Sequence, residues 1–268
     1  MRGVRSRWRH IGDQTRFYGQ TLRSVVDVFV HYRAELFRQI AMMSLGTGAL
    51  AMIGGTVAVV SFLNVSTGAI IAAQGYNQLS QVGVEALTGF ASAYLTTRLI
   101  SLATAVIAFS ATLGAGATAQ IGAMRINEEI DALEVMGIRP IAYLASTRVV
   151  AGVIVVVPLY TVALLLSYLA ARFGTTALYG QSVGVYDHYF RTFLVPADVI
   201  RSVITVLVLA VVVMLVHTYY GFNATGGPAG VGAAVGRATR AALVVAAFVI
   251  LLVTLALYGQ TGHFDFAG

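Results

Sequence analysis

Charge is scarce in this sequence of 268 residues: 10% are Asp, Glu, Lys or Arg, and 58% are hydrophobic. An average soluble domain carries about 25% charged residues. So little polar surface cannot cover the chain in water, which excludes an ordinary soluble domain. Cysteine is absent, so neither a disulfide framework nor a thiolate metal site is available. Lysine is absent too, all 17 basic residues being arginine. A nucleotide-binding P-loop needs its lysine on the phosphates, so if ATP drives this protein another chain hydrolyses it. The five histidines show no H-E-x-x-H spacing, and neither a metal site nor a cofactor is expected. No cleavable leader is expected either, because the first apolar run begins only at Gln39 behind an arginine-rich segment without a small-residue cleavage pattern.

What the sequence does have is long uncharged stretches. They run from Gln39 to Val84, Leu99 to Met124, Val149 to Phe173 with only Arg172 inside, Ser202 to Gly236, and Ala241 to His263. A helix crossing a hydrocarbon core about 30 Å thick needs about 20 mainly apolar residues. The pattern therefore predicts an all-α membrane protein with five transmembrane helices, at about 42–64, 86–122, 141–171, 197–219 and 241–258. A short or broken helical piece is expected before the second, and Pro158 is expected to kink the third. Residues 1–40 form an N-terminal region and 41–268 the membrane domain. Arg2, Arg5, Arg7, Arg9, Arg16, Arg23, Arg33 and Arg38 precede the first span, which by the positive-inside rule places the N-terminus in the cytoplasm and, with five spans, the C-terminus outside. Arg125, Arg139, Arg237 and Arg240 then fall inside, whereas Arg172 and Arg191 fall outside. Basic residues at helix ends explain the net charge of +6 without any nucleic-acid partner. The expected location is a cell (inner) membrane.

Tyr18, Leu22, Val25, Phe29, Tyr32, Leu36 and Ile40 recur at three or four residues with arginines between them. This predicts one amphipathic helix over 13–39, lying at the membrane interface; an ordinary helix packed on the bundle shares the pattern. Between the second and third spans, Arg125 to Pro140 reads RINEEIDALEVMGIRP. Ile126, Ile130, Leu133 and Met136 fall on one helical face, Glu128, Glu129, Asp131 and Glu134 cover the rest, Gly137 offers a C-terminal cap and Pro140 a stop. An acidic helix with an apolar stripe suits a partner's groove, and equally a solvated connector. Arg98 is the one charge between Glu85 and Arg125; at depth it contacts an anionic headgroup or snorkels to the interface. Six glycines around Pro228 over 220–240 predict a flexible bend, and Gly68 to Gly83 an outer loop or helix end. Gly180, Ser182 and Gly184 match G-x-S-x-G, but that motif needs a strand, a sharp turn and a helix, which nothing here provides. His217 is expected to be a hydrogen-bonded structural residue.

Three segments carry a likeness: AAQGY at Ala72–Tyr76, GATAQIGAMRINEEIDALEVMGIRP at Gly116–Pro140, and GFNATGGPAGVGAAVGRAT at Gly221–Thr239. Together they resemble the MlaE/YrbE permeases of ABC-type lipid transporters over nearly the whole chain after Phe37. The resemblance implies a permease subunit without catalytic residues, of the YrbE type found in Mce systems. It implies ATP-binding ABC subunits docked from the cytoplasm on Arg125, Glu128, Glu129, Ile130, Asp131, Leu133, Glu134 and Met136. A second YrbE-type permease would complete a heterodimer, MCE-domain proteins would sit on the outer side, and lipid would be the substrate, with Arg98 a candidate for its cavity. The sequence departs from the family at Ala111 and Thr112, where a glycine-arginine pair is usual, and at Gln120, where a glutamate is. An ion-coupled secondary transporter or a membrane scaffold is the alternative; the former calls for paired acids at mid-membrane, and none stands out.

Overall fold

The computed structural model describes residues 2–45 and 55–258, with the side chains of 12–44 and 55–257. Every regular element among them is a helix: α1 (Arg2–Arg23), α2 (Val25–His31), α3 (Arg33–Leu45), α4 (Thr56–Ser80), α5 (Glu85–Ile126), α6 (Glu129–Val135), α7 (Ile141–Leu178), α8 (Val183–Phe193), α9 (Pro196–Phe222) and α10 (Gly227–Tyr258). Five of these, α4, α5, α7, α9 and α10, are long and apolar enough to cross a membrane, so the chain is a multi-pass membrane protein. At 42 and 38 residues, α5 and α7 exceed the about 20 that one crossing needs. Both contain widened π-type turns, at Thr96–Ile100 and Ser110–Gly114 in α5 and at Ile141–Ser146 and Gly174–Leu178 in α7. Such turns add a residue without ending the helix. The second apolar stretch is one continuous helix entered through a short 3-10 turn at Glu85–Leu87, and α7 continues through Pro158.

Three boundaries differ from the sequence expectation. The first apolar helix continues to Ser80 rather than ending at 64, so much of the stretch expected from Gly68 as an outer loop or helix end is helical; of the expected start, 42–45 lie in α3 and 46–54 lie outside the described residues. A Cβ at Gly68 would fall 2.2 Å from the Ser167 carbonyl oxygen, so this glycine marks two helices in backbone contact. The glycine-rich 220–240 segment is helical from Gly227 onward, with Pro228 in the first turn, where its missing N–H costs nothing. Finally, the amphipathic helix expected over 13–39 is interrupted at Ser24 and Tyr32.

The described residues form two compact units. One gathers those of Met1–Val57, Phe109–Val156 and Ala210–Leu243. Within it Val28 and Leu36 pack with Val150 and Ala151, while Phe17 packs with Ala145 and Tyr219. Leu22, Val26, Phe29, Val30 and Phe37 remain exposed. His217 is fully buried, its Nδ1 2.8 Å from Thr118 Oγ1 and its Nε2 3.0 Å from Ser110 Oγ. Both ring nitrogens are thus partnered, which is the condition for burying an imidazole cheaply.

The other unit gathers the described residues of Ala58–Ala108, Val157–Leu209 and Val244–Gly268. Here α8 lies along the start of α5 through aromatic contacts. Phe90 and Phe193 meet edge to face at 4.6 Å between centroids, and Phe190 stands 5.1 Å from Tyr168. The Tyr168 hydroxyl is hydrogen-bonded to Thr97.

Candidate functional site

The acidic segment between α5 and α7 folds as its local signals dictate. Asn127 and Glu128 turn the chain, Glu128 adopting φ 61°, the only left-handed non-glycine residue among those described. Then α6 makes two turns. It ends in a Schellman motif, with Gly137 at φ 75°, its N–H donating to the Glu134 carbonyl at 2.9 Å and the Ile138 N–H donating to the Leu133 carbonyl at 3.0 Å. Ile138 also packs with Leu133, the hydrophobic contact that accompanies this cap. The helix is shorter than the 125–140 span of the sequence signals because the Glu128 turn separates it from α5.

Two side chains seat α6. Ile130 and Leu133, 1% and 9% exposed, join Ile121 and Leu144 in a small core. Burying side chains of that size stabilises by about 1.5–3 kcal/mol each, enough to hold a helix too short to persist alone. Glu128, Glu129, Asp131 and Glu134 are all exposed. Arg125 Nη1 donates to Asp131 Oδ1 at 2.8 Å; among the described residues no cation is bonded to the other three. Met136, placed on the apolar stripe by sequence, points outward at 65% exposure, and Val135 beyond it stands at 88%. Ile126 is half-buried. The outer surface is therefore an apolar tip ringed by carboxylates. Beside it opens a cleft of about 320 Å³ lined by Gln20, Ser24, Glu134, Arg139, Pro140 and Phe222 among others, and Arg139 is tied to Asp27 at 2.9 Å.

Arg98 does not stand alone. Its Nε and Nη2 donate to Asp198 Oδ2 at 2.9 and 2.5 Å, its Nη1 donates to the Tyr94 hydroxyl at 2.8 Å, and its guanidinium lies 4.2 Å from the Tyr94 ring centre. Asp198, 4% exposed, also accepts from Arg201 at 3.1 Å. One carboxylate thus answers two guanidinium groups. Asp198 was missed by sequence because it stands a hundred residues from Arg98 and nothing local marks it. Arg148 was missed as well. It sits near the start of α7, 3% exposed, with Nη1 donating to the Leu144 carbonyl at 3.0 Å and Nη2 to Gln120 Oε1 at 3.4 Å. Its signal was available as a charge at the edge of an apolar run. The G-x-S-x-G segment assembles no triad: Asp187 is bound by Arg172 at 2.8 Å, and Ser182 is exposed at the head of α8.

Near α3, Glu35 is buried and accepts from Arg38 at 2.8 and 2.9 Å, from Gln39 at 2.6 Å and from the Tyr143 hydroxyl at 3.2 Å. Burial pushes its carboxyl up, but the hydrogen bonds from Arg38 and Gln39 outweigh it and hold the group below the usual carboxylate range.

Helices long and apolar enough to cross a membrane, with an exposed acidic segment between two of them, define a multi-pass membrane protein that offers a surface to a partner. Comparison with known proteins gives it a family: residues 45–257 match the model of the permease MlaE, and the chain belongs to the MlaE permease family, whose members include ABC transporter permeases. It is 26% identical over 252 residues to a probable ABC transporter permease protein of Rickettsia felis, covering 90% of this chain and 92% of that protein. It is 29% identical over 144 residues to a probable ABC transporter permease protein of Synechocystis, 54% of each chain. A third relative is the chloroplastic protein TRIGALACTOSYLDIACYLGLYCEROL 1 of Arabidopsis thaliana, 25% identical over 159 residues, 59% of this chain and 45% of that one.

Proposed function

We propose that this ABC permease moves lipid or a similarly hydrophobic substrate, with separate ATP-binding subunits docking on α6 from the cytoplasm. The observation that carries the reading is the outer surface of α6. Exposed Val135 and Met136 ringed by Glu128, Glu129, Asp131 and Glu134 give a partner both an apolar anchor and a charge pattern. The adjacent cleft at Glu134 and Arg139 offers a recess for a partner side chain. Lipid as substrate is supported by the Arabidopsis relative, whose name is that of a glycerolipid, and by the resemblance to lipid-transporting permeases.

In this reading the N-terminus is cytoplasmic and the C-terminus outside, as the arginines before α4 favour. The exposed Phe29, Val30 and Phe37 of α2 and α3 lie at the membrane interface, residues 1–40 forming that region and 41–268 the permease domain. A second YrbE-type permease completes the pathway, and MCE-domain proteins receive or deliver substrate on the outer side. ATP-driven closure of the ATPase subunits presses on α6 and shifts the bundle between two packings. Arg98 meets the anionic part of the substrate from beside its pairing with Asp198.

Replacing Glu128, Glu129 and Asp131 together with arginine tests the docking. The expected result is loss of ATPase co-purification with an unchanged melting temperature, because all three side chains are exposed. Recovery of the ATPase at the parental level would remove docking from α6.

A further inference from the structure

Beyond the transport reading, and independent of it, the second unit carries a cavity that none of the roles above uses. It has a volume of about 640 Å³ and is lined along its depth by Tyr160, Leu164, Leu165, Leu169, Leu194 and Val203. This lies within the range of sites that hold small amphiphiles, about 300–1,000 Å³. Arg172, Asp187 and Arg191 also line it. The walls come from α7, α8 and the start of α9, so this is a crevice in the side of the bundle.

Length and charge both narrow the occupant. From Tyr160 to Arg172 α7 rises about 18 Å at 1.5 Å per residue, close to the about 15 Å depth of one leaflet's hydrocarbon. The apolar lining is thus as deep as one acyl chain, and the cations stand where that chain's headgroup would be. Of those cations, Arg172 is committed to Asp187 through two hydrogen bonds, at 2.8 and 3.0 Å. Arg191, one helical turn beyond Asp187, is exposed, and among the described residues no carboxylate pairs with it. Two guanidinium groups and one carboxylate leave an excess of one positive charge.

We propose that this cavity seats one acyl chain of a single anionic phospholipid along Leu164, Leu165 and Leu169, with its phosphate-bearing headgroup at Arg191 and its second chain in the surrounding bilayer. A zwitterionic lipid fills the same apolar space but gains less from the unmatched cation. One basic residue near a membrane surface contributes enough to favour an anionic lipid by about fivefold.

The chain has no cysteine, and Leu169 is 60% exposed at the open side of the crevice, so Leu169→Cys gives a unique attachment point in it for a fluorophore at the cavity mouth. The labelled full-length chain, assembled with its complex, is reconstituted in phosphatidylcholine vesicles containing phosphatidylglycerol or phosphatidylcholine that carries a nitroxide on its acyl chain. Quenching by the phosphatidylglycerol should reach half-maximum at about one-fifth the mole fraction needed by the phosphatidylcholine. Arg191→Gln should bring the two curves together, and Arg191→Lys should keep them apart. Equal quenching by both lipids, no quenching by either, or a preference that survives Arg191→Gln would each overturn the proposal. If the labelled chain does not assemble, native mass spectrometry of the unlabelled chain from equimolar vesicles reads the same preference, with the same outcomes deciding it.

Discussion

The carboxylates of α6 and the carboxylate of Asp198 belong to two regions with opposite electrostatic design. On α6 three acids crowd into two helical turns with Glu128 just ahead of them, all exposed, with one bonded to arginine and the others open to whatever approaches. Asp198 is buried and shared by Arg98 and Arg201. Water already screens the first group, so its members add little to folding and keep their charge for a partner. The second would not tolerate the loss of its partners, because a lone charge shielded from water is costly. Exposure, more than the number of charges, separates a surface kept for recognition from one that serves the fold.

The largest expected break in that contrast is Asp198→Ala. It removes the carboxylate that both Arg98 and Arg201 share, and because that pair is part-exposed a loss of about 3 kcal/mol is expected, read as a lowered unfolding temperature in detergent. Glu35 is the intermediate case, a buried carboxylate in the same unit as α6. Its folded pKa lies below the unfolded value of 4.5, so its pairing stabilises at neutral pH and is lost as pH falls below about 4.5 and through the folded value. Glu35→Gln should therefore flatten the acid limb of a stability-against-pH curve and leave the limb above pH 7 unchanged in slope. An unchanged acid limb would show that Glu35 titrates as it does unfolded. At the small end, Glu134→Gln on α6 should move the unfolding temperature by no more than about 0.5 kcal/mol equivalent. A larger loss would mean that the α6 acids serve the fold after all.

What the sequence made legible follows from how local each signal was. The long apolar helices announce themselves by the gaps between charges, and α6 by Ile130, Leu133, Gly137 and Pro140 lying within a few turns. The break at Tyr32 was invisible because the apolar period runs straight through it; the chain turns there so that Val28 and Leu36 both reach Val150. Glycine was the weakest guide: the 227–236 run was expected to be a flexible bend and is helical, because in lipid small residues also serve close helix approach. Asp198 and Tyr94 around Arg98 come from different stretches of chain, and no local period joins them. Met136 leaves the expected stripe because α6 ends at Val135, so the helical period that placed it stops one residue short.

The two left-handed residues at Glu128 and Gly137 have a mechanical consequence. A seven-residue helix between two such corners is too short to flex, and Ile130 and Leu133 fasten it from beneath like two rivets. A load applied at Val135 then has no slack to disappear into. It is handed on at the corners, one leading back to Ile126 and the other through Pro140 to Ile141, so the stiffness of a small segment decides how far the ends of two much longer ones must travel.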